Sequence, residues 1–166
     1  TRQWLELDSF PPPATKLTFY LGAEESLVKD PQDAPEADYV FDPMAPTPVI
    51  GGASFHPRNC GRMEQRALES RKDVLVFTTE AFTEDCLIIG SPKAEFHVKS
   101  ELEHFDIVIR LCVVQGSRSY NVCDGMSRQG KYADGQVYGA SLRQEDGSLR
   151  VHVALGHCAL RVCRGE

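Results

Sequence analysis

Lys93–Ser100 reads KAEFHVKS. In an extended chain Ala94, Phe96 and Val98 point one way, and Lys93, Glu95, His97 and Lys99 the other. Strict alternation of this kind marks a strand with one face on a core and one in water, the habit of antiparallel sheets. The same period recurs downstream. FDIVIRL sets Phe105, Ile107, Ile109 and Leu111 against Asp106, Val108 and Arg110, and predicts an inner face for the first set. SLRVHVAL sets Leu149, Val151, Val153 and Leu155 against Arg150 and His152. Shorter apolar or β-branched runs complete the series: KLTFYL (Lys16–Leu21), DVLVFTT (Asp73–Thr79), CLIIG (Cys86–Gly90), RSYNV (Arg118–Val122) and CALRV (Cys158–Val162). Turn chemistry separates them at Gly90–Pro92, Asp134–Gly135 and Glu145–Gly147. The best helical stretch is Met63–Lys72, which is short and mostly polar. Many short alternating strands with turns between them predict an all-β sandwich or barrel.

The chain has 166 residues, enough for one domain with a real core. Net charge is −6 and no basic run exists, which argues against a nucleic-acid partner. No apolar stretch approaches the roughly 20 residues that span a membrane. The opening TRQWLELDSFPPP reads as interior sequence, so a fragment of something longer is expected. The six cysteines are Cys60, Cys86, Cys112, Cys123, Cys158 and Cys163, with no C-x-x-C pair to suggest zinc. Cys86, Cys112 and Cys158 have apolar neighbours and read as buried free thiols, which suits a cytoplasmic protein.

A search for chemistry finds no catalytic residue, cofactor site or metal site to assign. Ser54 in GGASFH and the serines of GSRSY (Gly116–Tyr120) lack the G-x-S-x-G elbow of an α/β-hydrolase. His56, His97, His104, His152 and His157 show no metal spacing. His97 and His152 fall on polar strand faces, and His157 reads as a turn residue. Asp30, Asp33, Asp38 and Asp42 could hold calcium from a loop, but a solvated acidic loop is the better reading.

One stretch fits neither strand nor linker. Tyr39–Gly52 reads YVFDPMAPTPVIGG, with Pro43, Pro46 and Pro48 barring helix and central strand. Tyr39, Val40, Phe41, Met44, Val49 and Ile50 make it too apolar for a solvated tether. It is expected to lie extended against something: its own sandwich or another domain.

This run resembles the Y-x-x-D-P-x-x-P-x-P-x-x-G-G segment of the cocaine esterase / X-prolyl dipeptidyl-peptidase family of serine hydrolases. Further pieces follow in the same order. SFPPP (Ser9–Pro13) with LTFYL (Leu17–Leu21) is similar to the family's "W-P-P … Y-Y-L" opening strand, and Glu69-x-Arg71-x-Asp73-Val74-Leu75 to its E-x-R-x-D-V-L. Gly90 matches a glycine after the next strand. HFDIVIRLC (His104–Cys112) and RSYNVCDG (Arg118–Gly125) look like its paired strands, and Gly156–His157 echoes its late G-H-R-L-R strand. That last strand departs from the pattern, since Cys158 follows His157 and Leu160–Arg161 is shifted along.

The resemblance implies that residues 1–166 are a single jelly-roll, galactose-binding-domain-like β-sandwich, with 39–52 as a proline-rich extended segment. The family's last strand continues beyond Glu166, so an open C-terminal edge is expected, with Leu149–Leu155 losing part of its cover. The resemblance also implies an upstream α/β-hydrolase domain carrying a Ser-Asp-His triad, and it places no catalytic, cofactor or metal residue in this chain. The implied function is support of that domain and its active-site entrance in an X-Pro dipeptidyl-peptidase or esterase, with self-association as a homo-oligomer. The alternative is a free-standing carbohydrate-binding module using Trp4, Tyr20, Tyr120, Tyr132 or Tyr138.

Overall fold

A computed structural model describes residues 4, 6–9, 12–131, 137–138 and 141–166, with side chains outside 131–143. The expected Asp134–Gly135 turn, Tyr132 and the Tyr138 side chain lie outside the described residues, as do Phe10 and Pro11 of the SFPPP piece.

The described residues form eleven strands and one helical turn. The order is β1 (Tyr20–Leu21), β2 (Ser26–Val28), α1 (Arg66–Glu69), β3 (Thr78–Thr79), β4 (Cys86–Gly90), β5 (Lys93–Val98), β6 (Phe105–Gln115), β7 (Arg118–Lys131), β8 (Val137–Tyr138), β9 (Ser141–Arg143), β10 (Leu149–Ala154) and β11 (Cys158–Val162). Four small sheets result: β1-β2-β3, β5-β10-β9, β11-β4 and β6-β7-β8. All pairings are antiparallel except β2 with β3.

The fold is a β-sandwich, because two of these sheets turn their apolar faces on each other. Cys123, Val151, Val153 and Leu155 form the buried centre. Ala94, Phe96 and Val98 of β5 pack on it from the β10 side, and Ile107, Ile109 and Leu111 of β6 from the other. The alternation read from the sequence therefore gives the inner face of both layers, and Val108 points outward at 62% exposure. The two backbones come so close that a Cβ on Gly125 would overlap the Ala154 carbonyl oxygen, so only glycine fits there.

β6 and β7 pair along eleven positions, with an irregularity after Leu111. Leu111 lies opposite Cys123, whereas Cys112 lies opposite Asn121, so Val122 is an extra residue, a β-bulge. Directly opposed residues share a face. Asp124 therefore shares the outer face with Arg110, and the bulge brings Asn121 to that face with Cys112.

Several expectations need correction. KLTFYL contributes only Tyr20–Leu21 to a ladder, and DVLVFTT only Thr78–Thr79. Met63–Lys72 is helical only over Arg66–Glu69. Cys86, Cys112 and Cys158 are half-buried rather than buried, and the buried thiol is Cys123. The predicted bare face of Leu149–Leu155 does not occur: β10 has β5 on one side and β9 on the other, and Val151, Val153 and Leu155 are all buried. The final residues are tied down as well. Phe82 N–H donates to the Glu166 carbonyl at 2.8 Å, Gly165 N–H to the Phe82 carbonyl at 2.8 Å, and Arg164 N–H to Asp85 at 2.9 Å.

Candidate functional site: the proline-rich strip and its anchors

Tyr39–Gly52 has no ladder partner until its last residue. Its prolines remove donors, and its one internal backbone bond is a turn in which Ala45 N–H donates to the Asp42 carbonyl at 3.1 Å, so something else must hold the rest. Two sets of polar side chains on the sandwich do so.

The first set grips the PVIGG end. Arg110 Nη1 donates to the Ile50 carbonyl at 2.6 Å and to Gln65 Oε1 at 2.7 Å. Gln65, 1% exposed, donates through Nε2 to the same Ile50 carbonyl at 3.1 Å and to the Met63 carbonyl at 2.9 Å. Asn121 accepts from Met63 N–H at 2.6 Å and donates to the Gly61 carbonyl at 3.0 Å. Gly52 and Gly61 then exchange both backbone hydrogen bonds at 2.8 Å. Asn59 closes the loop, accepting from Gly51 N–H at 2.9 Å and donating to the Val49 carbonyl. Both glycines are required. Their φ values are +71° and +77°. A Cβ on Gly51 would stand 2.7 Å from the Gly61 carbonyl oxygen, and one on Gly52 3.2 Å from both Arg110 and Asp124. Arg110 and Asp124 face each other at 3.6 Å, directly across the β6–β7 ladder.

The second set grips the APT segment. Arg71 and Asp73 form a two-pronged pair at 2.7 Å on each prong. From this base Arg71 Nη2 donates to the Ala45 carbonyl at 2.7 Å, and Asp73 accepts from Thr47 Oγ1 at 2.7 Å. The Arg71 and Thr47 hydrogen bonds hold the Asp73 carboxyl well below the usual carboxylate range.

Arg110, Gln65, Asn59 and Arg71 each reach a backbone carbonyl or amide of the strip and Asp73 its single threonine, while Asn121 holds Gly61 and Met63, which face the strip's end. The strip's own apolar side chains are left pointing away. Val40 is 84% exposed, Phe41 51%, Met44 89% and Val49 63%. Tyr39 is also exposed, Ile50 is half-buried, and Phe55 beyond the glycines projects fully. Beside Gly52 an open cleft of about 320 Å³ runs between the strip and β7, with Gly61, Arg62, Cys123, Asp124 and Gly156 among its walls.

The other residues singled out in the sequence are scattered. Asp30, Asp33, Asp38 and Asp42 lie in an exposed segment, where Asp42 accepts from Met44 N–H at 2.8 Å. His152 pairs with Glu95 at 3.2 Å on the outer face of β5–β10, and His157 meets Ser91 Oγ at 2.5 Å. Ser54 accepts from His56 N–H at 3.2 Å, a local turn contact. Of the described aromatics, Tyr120 has its ring covered by Arg62 at 4.3 Å, Tyr20 sits on β1, and Trp4 is fully exposed near the N-terminus.

A family model described as "X-Pro dipeptidyl-peptidase C-terminal non-catalytic domain" matches residues 1–163. The chain belongs to that family. A cocaine esterase from Rhodococcus sp. (strain MB1 Bresler) is 31% identical over 139 residues, which is 76% of this chain and 24% of that enzyme. The chain thus spans about a quarter of the relative's length. For an X-Pro dipeptidyl-peptidase C-terminal domain, the separate pieces of the resemblance now have one physical meaning. The D-P-x-x-P-x-P-x-x-G-G run is the strip, the arginine and aspartate of E-x-R-x-D are the clamp on Ala45 and Thr47, and Arg110 with Asp124 is the wall that Gly52 meets. The residues that the sequence did not single out are Gln65, Asn59 and Asn121. Asn121, between Tyr120 and Val122, was polar beside apolar neighbours, whereas Gln65 between Glu64 and Arg66 and Asn59 after Arg58 carried no signal.

Among the described residues no helix is long and apolar enough to cross a membrane.

Proposed function

We propose that residues 1–166 form the single non-catalytic β-sandwich domain of a serine hydrolase of the X-Pro dipeptidyl-peptidase or acyl-esterase class. An α/β-hydrolase domain precedes it in the same polypeptide. The strip Tyr39–Val49 packs on that domain and helps to shape its active-site entrance. The observation that carries this reading is the direction of the strip. It is fastened to its own sandwich through its backbone, while Val40, Phe41 and Met44 are presented outward. Exposed apolar groups on a stiff, pre-ordered strip suit a covered surface, since prolines reduce the entropy lost on docking. The family membership and the cocaine esterase relative support the class of enzyme. Free thiols at all six cysteines fit a reducing, cytoplasmic setting.

The test is Phe41→Asp with Met44→Asp in the full-length polypeptide. Loss of thermal stability and of hydrolase activity is expected, with the sandwich itself still folded by circular dichroism. Unchanged activity and melting would overturn the docking. The chain alone is expected to turn over neither a p-nitrophenyl ester nor an X-Pro anilide, and to self-associate through the bare strip. Serine-inhibitor-sensitive turnover by the purified chain would refute the non-catalytic assignment. A monomer in sedimentation velocity at micromolar concentration would refute the self-association.

A further inference from the structure

The buried centre of the sandwich contains a thiol, Cys123, and Cys158 is among the half-buried residues packed against that centre. Cys123 belongs to β7 and Cys158 opens β11, so the pair bridges two different sheets. The backbones are held together on either side of it. Gly156 N–H donates to the Asp124 carbonyl at 3.1 Å, and a Cβ on Gly156 would stand 3.9 Å from the Cys123 Cβ. Cys158 follows two residues later, on the same side of an extended chain. Each thiol perturbs the other's proton affinity directly, which Cys112 does to Cys123 only as the weakest contribution. Cys123, 7% exposed, is also among the residues that wall the cleft beside Gly52, so the cleft is the side from which a small oxidant approaches the pair.

We propose that Cys123 and Cys158 are a redox-responsive dithiol that closes to an intramolecular disulfide when a peroxide enters the cleft. The Cys123 thiolate attacks one peroxide oxygen, the O–O bond breaks, and Cys123 becomes a sulfenic acid with release of water. The Cys158 sulfur then attacks the sulfenic sulfur, the S–O bond breaks, and a second water leaves. Two thiols and one hydrogen peroxide give one disulfide and two waters, with both electrons passing to the peroxide. The product staples β7 to β11 and braces the cleft wall between Asp124 and Gly156. The reaction is slow at neutral pH. Burial is the first cause of a raised pKa at both thiols, and Cys123 is pushed up to about 11, so little of the attacking thiolate is present.

The experiment uses the intact polypeptide with Cys60→Ser and Cys163→Ser, which removes the two exposed thiols. It is treated with hydrogen peroxide and its unreduced peptides are mapped by mass spectrometry. A Cys123 peptide joined to a Cys158 peptide is expected. The link should be reversed by dithiothreitol and accompanied by a rise in Tm. The rate should climb about tenfold per pH unit until the pH nears the Cys123 value. In Cys158→Ala, sulfenic acid trappable by dimedone should accumulate at Cys123 instead. A link from Cys123 to Cys112, or Cys123 overoxidised in the presence of an unmodified Cys158, would overturn the proposal.

Discussion

The sandwich core and the proline-rich strip are built on opposite plans. In the core, backbone groups pair with each other in ladders and apolar side chains turn inward, as Val151 and Val153 do. In the strip, backbone groups are taken up by polar side chains of the sandwich, and the apolar side chains turn outward. Each plan satisfies the backbone. They differ in what is left over. The core leaves mainly polar groups facing water, with Val108 and Met126 as exposed exceptions, and the strip leaves hydrophobic ones.

The sharpest way to break this contrast is to weaken each plan at its own point of support. Leu155→Ala removes a buried aliphatic group from the core cluster and should cost about 2–5 kcal/mol in chemical denaturation. A cost below about 1 kcal/mol would mean that the two layers are held by something other than apolar burial. Gln65→Ala should cost less, about 1–3 kcal/mol, because it strands buried polar partners without emptying the core. Its signature is local, with faster amide exchange at Gly51 and Gly52. Exchange that rises uniformly across β10 instead would merge strip and core into one unit.

The Arg71–Asp73 clamp offers a pH-dependent version of the same test. Asp73 has a depressed pKa in the folded chain, so its contribution is present above the unfolded aspartate value and is lost as pH falls through the folded one. The APT segment should therefore stay attached through the ordinary aspartate range, about pH 4, and loosen only in stronger acid. Asp73→Asn should abolish that acid step in hydrogen exchange around Ala45. An acid step that persists in the variant would assign it to another carboxylate. The smallest effect is expected from Phe41→Ser with Met44→Ser in the isolated chain, within about 0.5 kcal/mol, because neither side chain supports the sandwich. A loss of several times that size would show that the strip's side chains are part of the core after all.

The core was legible because it obeys a local rule. Ala94-Phe96-Val98 and Ile107-Ile109-Leu111 are read at period two, and the structure turns both sets inward. Asp73–Phe77 misled for the same reason: its β-branched residues resemble a strand, but Asp73 is committed to the clamp and only Thr78–Thr79 find a ladder. The strip was legible as apolar and unfit for a central strand, and its side chains other than the half-buried Ile50 stay out of its own core. Its anchors were not legible. Arg110 meets Ile50 from sixty residues away in sequence, and Gln65 from fifteen. Nothing local to either side chain specifies such a partner. The family resemblance carried Ile50 and Arg110 in separate motifs and passed over Gln65, and only the folded chain shows that they touch.

The bulge at Val122 decides where the molecule is sensitive to parity. With Val122 in place, Asn121 and Asp124 stand three residues apart yet share the outer face. Deleting Val122 would leave Cys112 opposite Asn121 and Leu111 opposite Cys123, so the same side chains would face the strip from a regular ladder. A single-residue change elsewhere in β7 would instead exchange inside for outside on one half of the strand. The hairpin thus has one place where an odd change in length is harmless to its faces, and a chain shortened there should keep the strip fastened while losing the local bend and added twist.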